Sequence, residues 1–341
     1  MYNSRRCSNF ELLRIFSILL VLSMHCYAMG KSNSMSLPNW YLGHLINAIG
    51  NTGVTCFVLI SGYFGIRFKL ERFLQLILLT TVYTVFVTAV NRGFVLSMDV
   101  LKSLFVIPLY NNWFISCYLL LMVLSPFLNP FAEHLDRRNY RKMLIIGLIF
   151  LSIIPTLFNS AYHTIVTGGG KCFIYIMFVY FIGRYIRNHA NNVKLRRHHF
   201  CMFLMLLQFI ILLCNITLEK IFYKPCNVFA MDCSPLILAS SVCIFYLFKS
   251  ISLYSSLTNY IASGVLAVYL LDGLRGFVNN YINIQRFSGE SSFLLWLSIL
   301  VILTFCLSLA IEMIRRVIFG KIEQQILTGI SKKNNLFSNR Y

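Results

Sequence analysis

Residues 9–30 read NFELLRIFSILLVLSMHCYAMG, an apolar run long enough to cross a bilayer that nevertheless contains Glu11, Arg14 and His25. Ionisable side chains at membrane depth are costly and usually face the protein interior or a polar cavity, which makes them candidate functional residues. Arg14 and His25 are 11 positions apart. This is about three helical turns, so they share one helix face at a separation of about 16 Å. The stretch therefore predicts a membrane helix whose polar stripe could hold both ends of an elongated ligand.

The rest of the chain is equally apolar. Of its 341 residues 58% are hydrophobic and 12% are charged, and the mean hydropathy is +0.71. Apolar runs of about 17–25 residues recur without the alternation of membrane β-strands, so we predict an all-α, polytopic transmembrane helical bundle. The ten predicted spans are 9–29, 45–65, 74–90, 102–129, 143–159, 171–187, 200–216, 233–249, 258–275 and 292–314. The fourth has a re-entrant or kinked start and becomes the span proper at Trp113.

Charge indicates the orientation of the bundle. Most of the 30 Lys and Arg residues fall in the connections of one side, and the positive-inside rule makes that side cytoplasmic. Both termini are then cytoplasmic, and the net charge of +19 needs no nucleic-acid partner. Residues 1–320 are predicted to form a single transmembrane domain, and residues 321–341 a polar cytoplasmic tail that we expect to be disordered.

The eleven cysteines are scattered, mostly inside apolar runs, with no metal-ligand spacing. We therefore predict no metal site and interpret most of them as small hydrophobic residues. Cys226 and Cys233 share one predicted outer loop. Whether they form a disulfide is left open, because sequence does not define their geometry.

Arg14 and His25 have two interpretations. Arg14 could snorkel to the inner face and His25 could cap an internal hydrogen bond, or both could serve a ligand. The shared face favours function, and Glu11, one turn before Arg14, could pair with Arg14 and fix its guanidinium. Histidine is the usual general base for activating a hydroxyl.

A second motif covers residues 51–65, NTGVTCFVLISGYFG. Ser61 and Gly62 near its end predict either a close contact between helices or a functional break. Arg67, Lys69 and Arg72 follow at the inner face. They either satisfy the positive-inside rule alone or hold phosphates at the cytoplasmic mouth.

Two further motifs lie toward the predicted outer side. Trp113 is typical of an interfacial aromatic belt, and Asn112 beside it could instead hydrogen-bond a polar acceptor. In the segment SGVLAVYLLDGLR, which contains Tyr269, Asp272 could pair with Arg275 three residues later or could orient His25.

Taken in order, these motifs resemble the membrane-bound acyltransferase-3 family over most of the chain. The resemblance rests on Arg14-x10-His25 in a first helix opening FELLR, on GVTCFVLISGYF, on Lys69-x-x-Arg72, on WFISCYLLLMVLSPFL and on the late VYLL. Members are bacterial inner-membrane enzymes that move an acyl group, commonly acetyl from acetyl-CoA, to sugar hydroxyls of surface or exported glycans.

The resemblance implies that His25 is the catalytic residue and that Arg14 and the Arg72 region bind acyl-CoA. It implies no permanently bound cofactor. The implied partners are acyl-CoA, a glycan or glycolipid acceptor, the lipid bilayer and polysaccharide-biosynthesis machinery. Two positions depart from the family pattern: Lys69 stands where an arginine is usual, and Asp272 stands where a histidine is common.

Two other classes stay open as alternatives. A membrane transporter could use Arg14, His25 and Asp272 as a substrate or proton relay, although pairs of broken helices and repeat symmetry are not evident in the sequence. A glycan-assembly protein would be expected to have a large outer loop, and the predicted outer loops are short.

Overall fold

The computed structural model describes residues 7–92, 112–158, 167–193 and 195–338, and this part of the chain contains helices and no strand. The helices are α1 Ser8–Gly30, α2 Leu37–Gly50, α3 Thr52–Phe64, α4 Leu70–Arg92, α5 Trp113–His134, α6 Arg137–Leu157, α7 Phe173–His189, α8 Arg197–Phe222, α9 Pro235–Lys249, α10 Ser256–Leu270, α11 Leu274–Ile282 and α12 Phe293–Ser338. Short 3-10 turns lie at Gly168–Gly170, Val228–Ala230 and Ile284–Phe287. The predicted all-α class is confirmed.

Within the described residues, each of the ten predicted spans overlaps with helix. Eight segments of the described chain are long and apolar enough to cross a bilayer, with α2 and α3 counted together, and α10 with α11 adds a ninth. The 17-residue α7 is at the short end of the range for a span. The count of ten and the cytoplasmic termini stay predictions, and residues 102–111 lie outside the described part.

The ninth predicted span is not one helix. The continuous helix predicted over residues 258–275 is wrong, because α10 ends at Leu270 and α11 starts at Leu274 after a bend of 85°. Asp272 lies in the turn between them. Its side chain is therefore presented from a corner of the chain, whereas the sequence suggested the outer end of a straight helix.

Local sequence explains where several helices begin. Asp136 caps α6 by accepting hydrogen bonds from the backbone N–H groups of Asn139 and Arg138, and these bonds lower the pKa of its carboxyl. Ser234 precedes Pro235 and accepts from the Leu236 N–H at the start of α9. Side-chain oxygens satisfy N–H groups that have no partner in the first helical turn, and proline at the first position loses no hydrogen bond.

Helix α1 lies at the centre of the bundle and packs against α2, α3, α9, α10 and α12. Its residues Leu13, Ile18, Val21 and Leu22 are almost fully buried. Lipid is as apolar as these side chains, so the helices associate chiefly through close van der Waals packing and interhelical hydrogen bonds. The central position puts both Arg14 and His25 within reach of neighbouring helices.

Helices α3 and α7 cross at a pair of glycines. A Cβ on Gly62 would lie 2.3 Å from the Tyr180 carbonyl oxygen, and a Cβ on Gly183 would lie 2.6 Å from that of Leu59. Backbones approach this closely only where both helices lack a side chain. Gly62 therefore serves a close contact between helices, one of the two interpretations of the Ser61-Gly62 pair.

We expect Gly62→Val to destabilise the protein by about 1–3 kcal/mol, the usual cost of forcing extra methyl groups into a packed contact. Thermal unfolding in detergent measures the loss. Gly329→Val is the matched control, because no other group lies within 4 Å of the Cβ built there. An unchanged melting temperature for Gly62→Val would contradict the packing described here.

The C-terminal segment corrects another expectation. Disorder is wrong for residues 321–338, which continue α12 without a break to Ser338. The Oε1 atom of Glu323 accepts from Gln75 on α4 at 2.5 Å, a contact between residues far apart in sequence. Helix extension adds one backbone hydrogen bond per residue once a nucleus exists, so a docked turn is readily continued.

The cysteines are all free, so Cys226 and Cys233 do not form the disulfide that the sequence left open. Cys233 is buried, and its N–H donates to the Gly169 carbonyl at 3.3 Å. This contact ties the start of α9 to the glycine turn before α7.

Candidate active site

A cavity of about 1260 Å³ lies between α1, α3, α4, α5, α10 and α12. It is larger than the roughly 300–1,000 Å³ typical of small-molecule pockets. The predicted site residues that line it are Glu11, Arg14, Ser61, Arg67, Arg72 and Tyr269. The other predicted residues, His25, Lys69, Asn112, Trp113 and Asp272, are not part of its lining.

The structure brings His25 and Asp272 together. His25 Nδ1 lies 2.9 Å from Asp272 Oδ2, and the two side chains are 34% and 13% exposed. Arg275 Nη1 donates to the same carboxylate oxygen. The two sequence alternatives for Asp272, an ion pair with Arg275 and orientation of His25, therefore occur together.

This arrangement favours one tautomer of the His25 imidazole. Neutral imidazole carries one N–H and one free lone pair, and a carboxylate accepts the N–H. With Nδ1–H directed to Asp272, the lone pair is on Nε2, which can accept a proton. The Asp272 carboxylate also accepts from Arg275, so an imidazolium formed at His25 would face a negative partner.

Two lining residues lie close to this pair along the chain. Val21 lines the cavity and precedes His25 by one turn of α1. Tyr269 also lines it, three residues before Asp272, and its ring makes an edge contact with Phe114 at 5.5 Å between centroids. The segments that carry His25 and Asp272 therefore also form part of the cavity wall.

Arg14 lies about three turns along α1 from His25. Its Nη1 donates to Glu11 Oε1 at 2.7 Å, which confirms the predicted pair, and the Arg14 side chain is 36% exposed. Both residues line the cavity. Glu11 therefore fixes a guanidinium that still faces the cavity.

The basic cluster after α3 is only partly in the cavity. Arg67 and Arg72 line it, whereas Lys69 is exposed and does not. The link that carries Arg67 begins at Gly65, whose φ of 75° is a conformation that glycine adopts without strain. The cationic wall on this side is thus supplied by the two arginines, both of them also exposed to solvent.

The remaining predicted residues use their polar groups inside the bundle. Asn112 donates to Thr84 Oγ1 at 3.1 Å, and Ser61 donates to the Phe57 carbonyl at 2.9 Å. Trp113 is half-buried, with an edge contact to Phe114 at 5.9 Å between centroids. These contacts fix the cavity wall and the start of α5.

Sequence reasoning missed a buried acid on α12. Glu312 is 3% exposed and accepts from Tyr83, Arg315 and Arg316. All four residues line the cavity. A signal was present, since a carboxylate in an apolar span with arginines three and four residues later forms a helix pair. The positive-inside rule alone already accounts for two arginines at this end of a span, which hides the pairing.

The described residues contain no group of three or more His, Cys, Asp or Glu side chains placed to hold a metal ion. The described arrangement is a histidine, a carboxylate hydrogen-bonded to it and a nearby cavity with arginines along its wall. Such a site suits proton abstraction from a hydroxyl beside a bound anionic ligand.

The comparisons with known proteins give one match. The family model Acyl_transf_3, described as an acyltransferase domain, matches residues 8–313. No curated protein and no solved structure matches the chain. The matched region includes His25, Asp272 and the arginines 14, 67 and 72, and it covers most of the 341 residues. The chain belongs to the acyltransferase-3 family and is a multi-pass membrane acyltransferase.

Proposed function

We propose that this protein is an inner-membrane O-acyltransferase that transfers an acyl group, in the simplest case acetyl, from acyl-CoA to a sugar hydroxyl of a surface or exported glycan. The observation that carries the proposal is the His25–Asp272 hydrogen bond of 2.9 Å, on segments that also line a cavity whose wall carries arginines. Acyl-CoA and the glycan are substrates, and the proposal includes no permanently bound cofactor.

The reaction follows from the free lone pair on His25. Nε2 accepts the proton of the acceptor hydroxyl while the hydroxyl oxygen attacks the thioester carbonyl. The C–S bond then breaks, the ester forms, and the departing CoA sulfur takes the proton from the imidazolium. Asp272 accepts the Nδ1–H throughout and stabilises the positive charge on the ring. Holding donor and acceptor in one cavity supplies proximity, which can contribute about 7–11 kcal/mol to such reactions.

The donor side is proposed to be the arginine wall. The phosphates of CoA would contact Arg14, Arg67 and Arg72, because guanidinium groups bind phosphate in a bidentate manner. The pantetheine arm would run along the cavity toward Val21 and Tyr269. The acceptor would reach His25 from the other side of the bundle.

We expect Arg14→Ala and Arg72→Ala each to raise the KM for acyl-CoA by about 10-fold or more, since a hydrogen bond to a charged group contributes about 1.5–3 kcal/mol. Initial rates in detergent at varied acetyl-CoA measure KM. Lys69→Ala is the matched control and should change KM much less, because Lys69 does not line the cavity. Equal effects of Lys69→Ala and Arg72→Ala would contradict the assigned wall.

The activity itself is tested with membranes carrying the protein, radiolabelled acetyl-CoA and the host glycan fraction. Label in alkali-labile ester on glycan, dependent on the protein, supports the proposal. CoA-independent flux in proteoliposomes without such labelling would instead support a transporter that uses Arg14, His25 and Asp272 as a relay.

A further inference from the structure

One wall of the cavity comes from the end of α12. The lining includes Glu312, Arg316, Gly320, Lys321, Gln324 and Leu327 of this helix. The family match ends at residue 313, so most of this wall lies beyond the part of the chain that the family model covers. Residues 321–327 also belong to the segment that composition predicted to be a disordered tail.

The helix that carries this wall is longer than the lipid core. The span within it runs over Phe293–Gly329, 37 residues, or about 56 Å at 1.5 Å per residue, whereas the hydrocarbon core is about 30 Å thick. At least one end of the helix must therefore lie outside the hydrocarbon. Arg67 and Arg72 line the same cavity.

Two carboxylates hold the wall in place. Glu323 accepts from Arg315 on its own helix at 2.8 Å and from Gln75 on α4 at 2.5 Å. About three turns earlier, Glu312 accepts from Tyr83, also on α4, and from Arg316 at 2.5 Å. Arg316 in turn donates to Ser263 of α10 at 2.6 Å. The helix end is therefore docked on two neighbours.

The basic side chains on this wall differ in whether they form ion pairs. Glu312 and Glu323 neutralise Arg315 and Arg316 through the ion pairs between them. Lys321 lines the cavity and forms no ion pair with another described residue. An ammonium group without a carboxylate partner at a cavity mouth attracts an anionic ligand.

We propose that residues 312–327 of α12 form a second wall of the acyl-donor site, in which Lys321 binds an anionic group of the donor. Glu323 is a positioning residue that keeps this wall on α4. The inference rests on the proposed function and deepens it, because it requires a thioester donor with phosphate at the far end of its arm.

The test compares two shortened proteins and two donors. A chain that ends at Gly320 loses Lys321, Glu323 and Leu327, and we expect its KM for acetyl-CoA to rise at least 10-fold. A chain that ends at Gly329 keeps the whole lining and should match the full-length protein. S-acetylpantetheine carries the same thioester arm without the nucleotide phosphates, so its KM should change little in either case.

Point variants keep the test decisive where the shorter chain does not fold. Lys321→Ala should raise the KM for acetyl-CoA, while its kcat and its KM for S-acetylpantetheine stay unchanged. Lys321→Arg keeps the positive charge and should have the KM of the wild type for acetyl-CoA. Glu323→Ala should also raise the KM for acetyl-CoA. Lys142→Ala is the control, because Lys142 is exposed on α6 and lies outside the cavity lining.

The outcomes separate the two proposals. Suppose that the wild-type protein transfers acetyl from acetyl-CoA. If Lys321→Ala then changes the KM values of both donors equally, or changes neither value, the role proposed for Lys321 is wrong and the proposed function stands. Absence of any CoA-dependent transfer by the wild type contradicts the proposed function itself.

Discussion

The variant His25→Ala is expected to lose acyl transfer by at least about 10²–10⁴-fold, the range that a positioned general base contributes. The substitution removes the Nε2 lone pair that accepts the hydroxyl proton, and alanine offers no replacement. The His25 side chain is 34% exposed, so its loss opens no large buried cavity and the protein should insert and unfold like the wild type. Labelled acetyl transfer to glycan, with thermal unfolding in parallel, measures both.

The matched control is His134→Ala. His134 is an exposed histidine at the end of α5 whose Nδ1 pairs with the Pro130 carbonyl at 2.7 Å. This variant should keep wild-type activity. Full activity in His25→Ala would show that another group removes the proton, and the mechanism above would be wrong even with the family assignment intact.

The second large effect is expected for Asp272→Asn, with kcat lowered by about 10²–10⁴-fold and the KM for acetyl-CoA little changed. In catalytic triads the equivalent change of the orienting aspartate costs about 10⁴-fold, because the amide no longer fixes the productive tautomer. The same logic applies to a carboxylate 2.9 Å from His25 Nδ1. Steady-state rates at saturating acceptor separate kcat from KM.

Arg275→Gln distinguishes the two partners of Asp272. It removes the charge that pairs with Oδ2 and leaves the carboxylate in place against His25, so kcat should fall much less than in Asp272→Asn. A loss as large as that of Asp272→Asn would mean that the ion pair, rather than the orientation of His25, is what Asp272 provides.

Much of the site was predictable because it lies on one helix. The spacing of Arg14 and His25 fixes their common face through helix geometry alone, and the Glu11–Arg14 pair follows from an i,i+3 spacing. Asp272 was a candidate partner for His25, but its choice between two contacts could not be read from sequence. The structure satisfies both, because one carboxylate oxygen accepts two donors.

Two predictions from the sequence were wrong, those for the segment around Asp272 and for the segment after Gly320. The bend at Asp272 interrupts an apolar run that was predicted as one span, although Asp272-Gly273 is a dipeptide typical of turns. The segment after Gly320 is polar, which composition alone associates with disorder. Its order comes from Glu323 meeting Gln75, a pairing across 248 residues that no local pattern records.

Helix α1 is unbroken from Arg14 to His25, so it fixes the distance between these two residues. One residue inserted between them would turn His25 by about 100° and advance it by 1.5 Å, taking it off the face that Arg14 occupies. Two whole turns would preserve the face and lengthen the span by about 11 Å. The distance between Arg14 and His25 is therefore set by helix pitch, with no loop to adjust it. In the proposed mechanism, a donor engages both residues only if its anionic end and its reactive carbon match that fixed length.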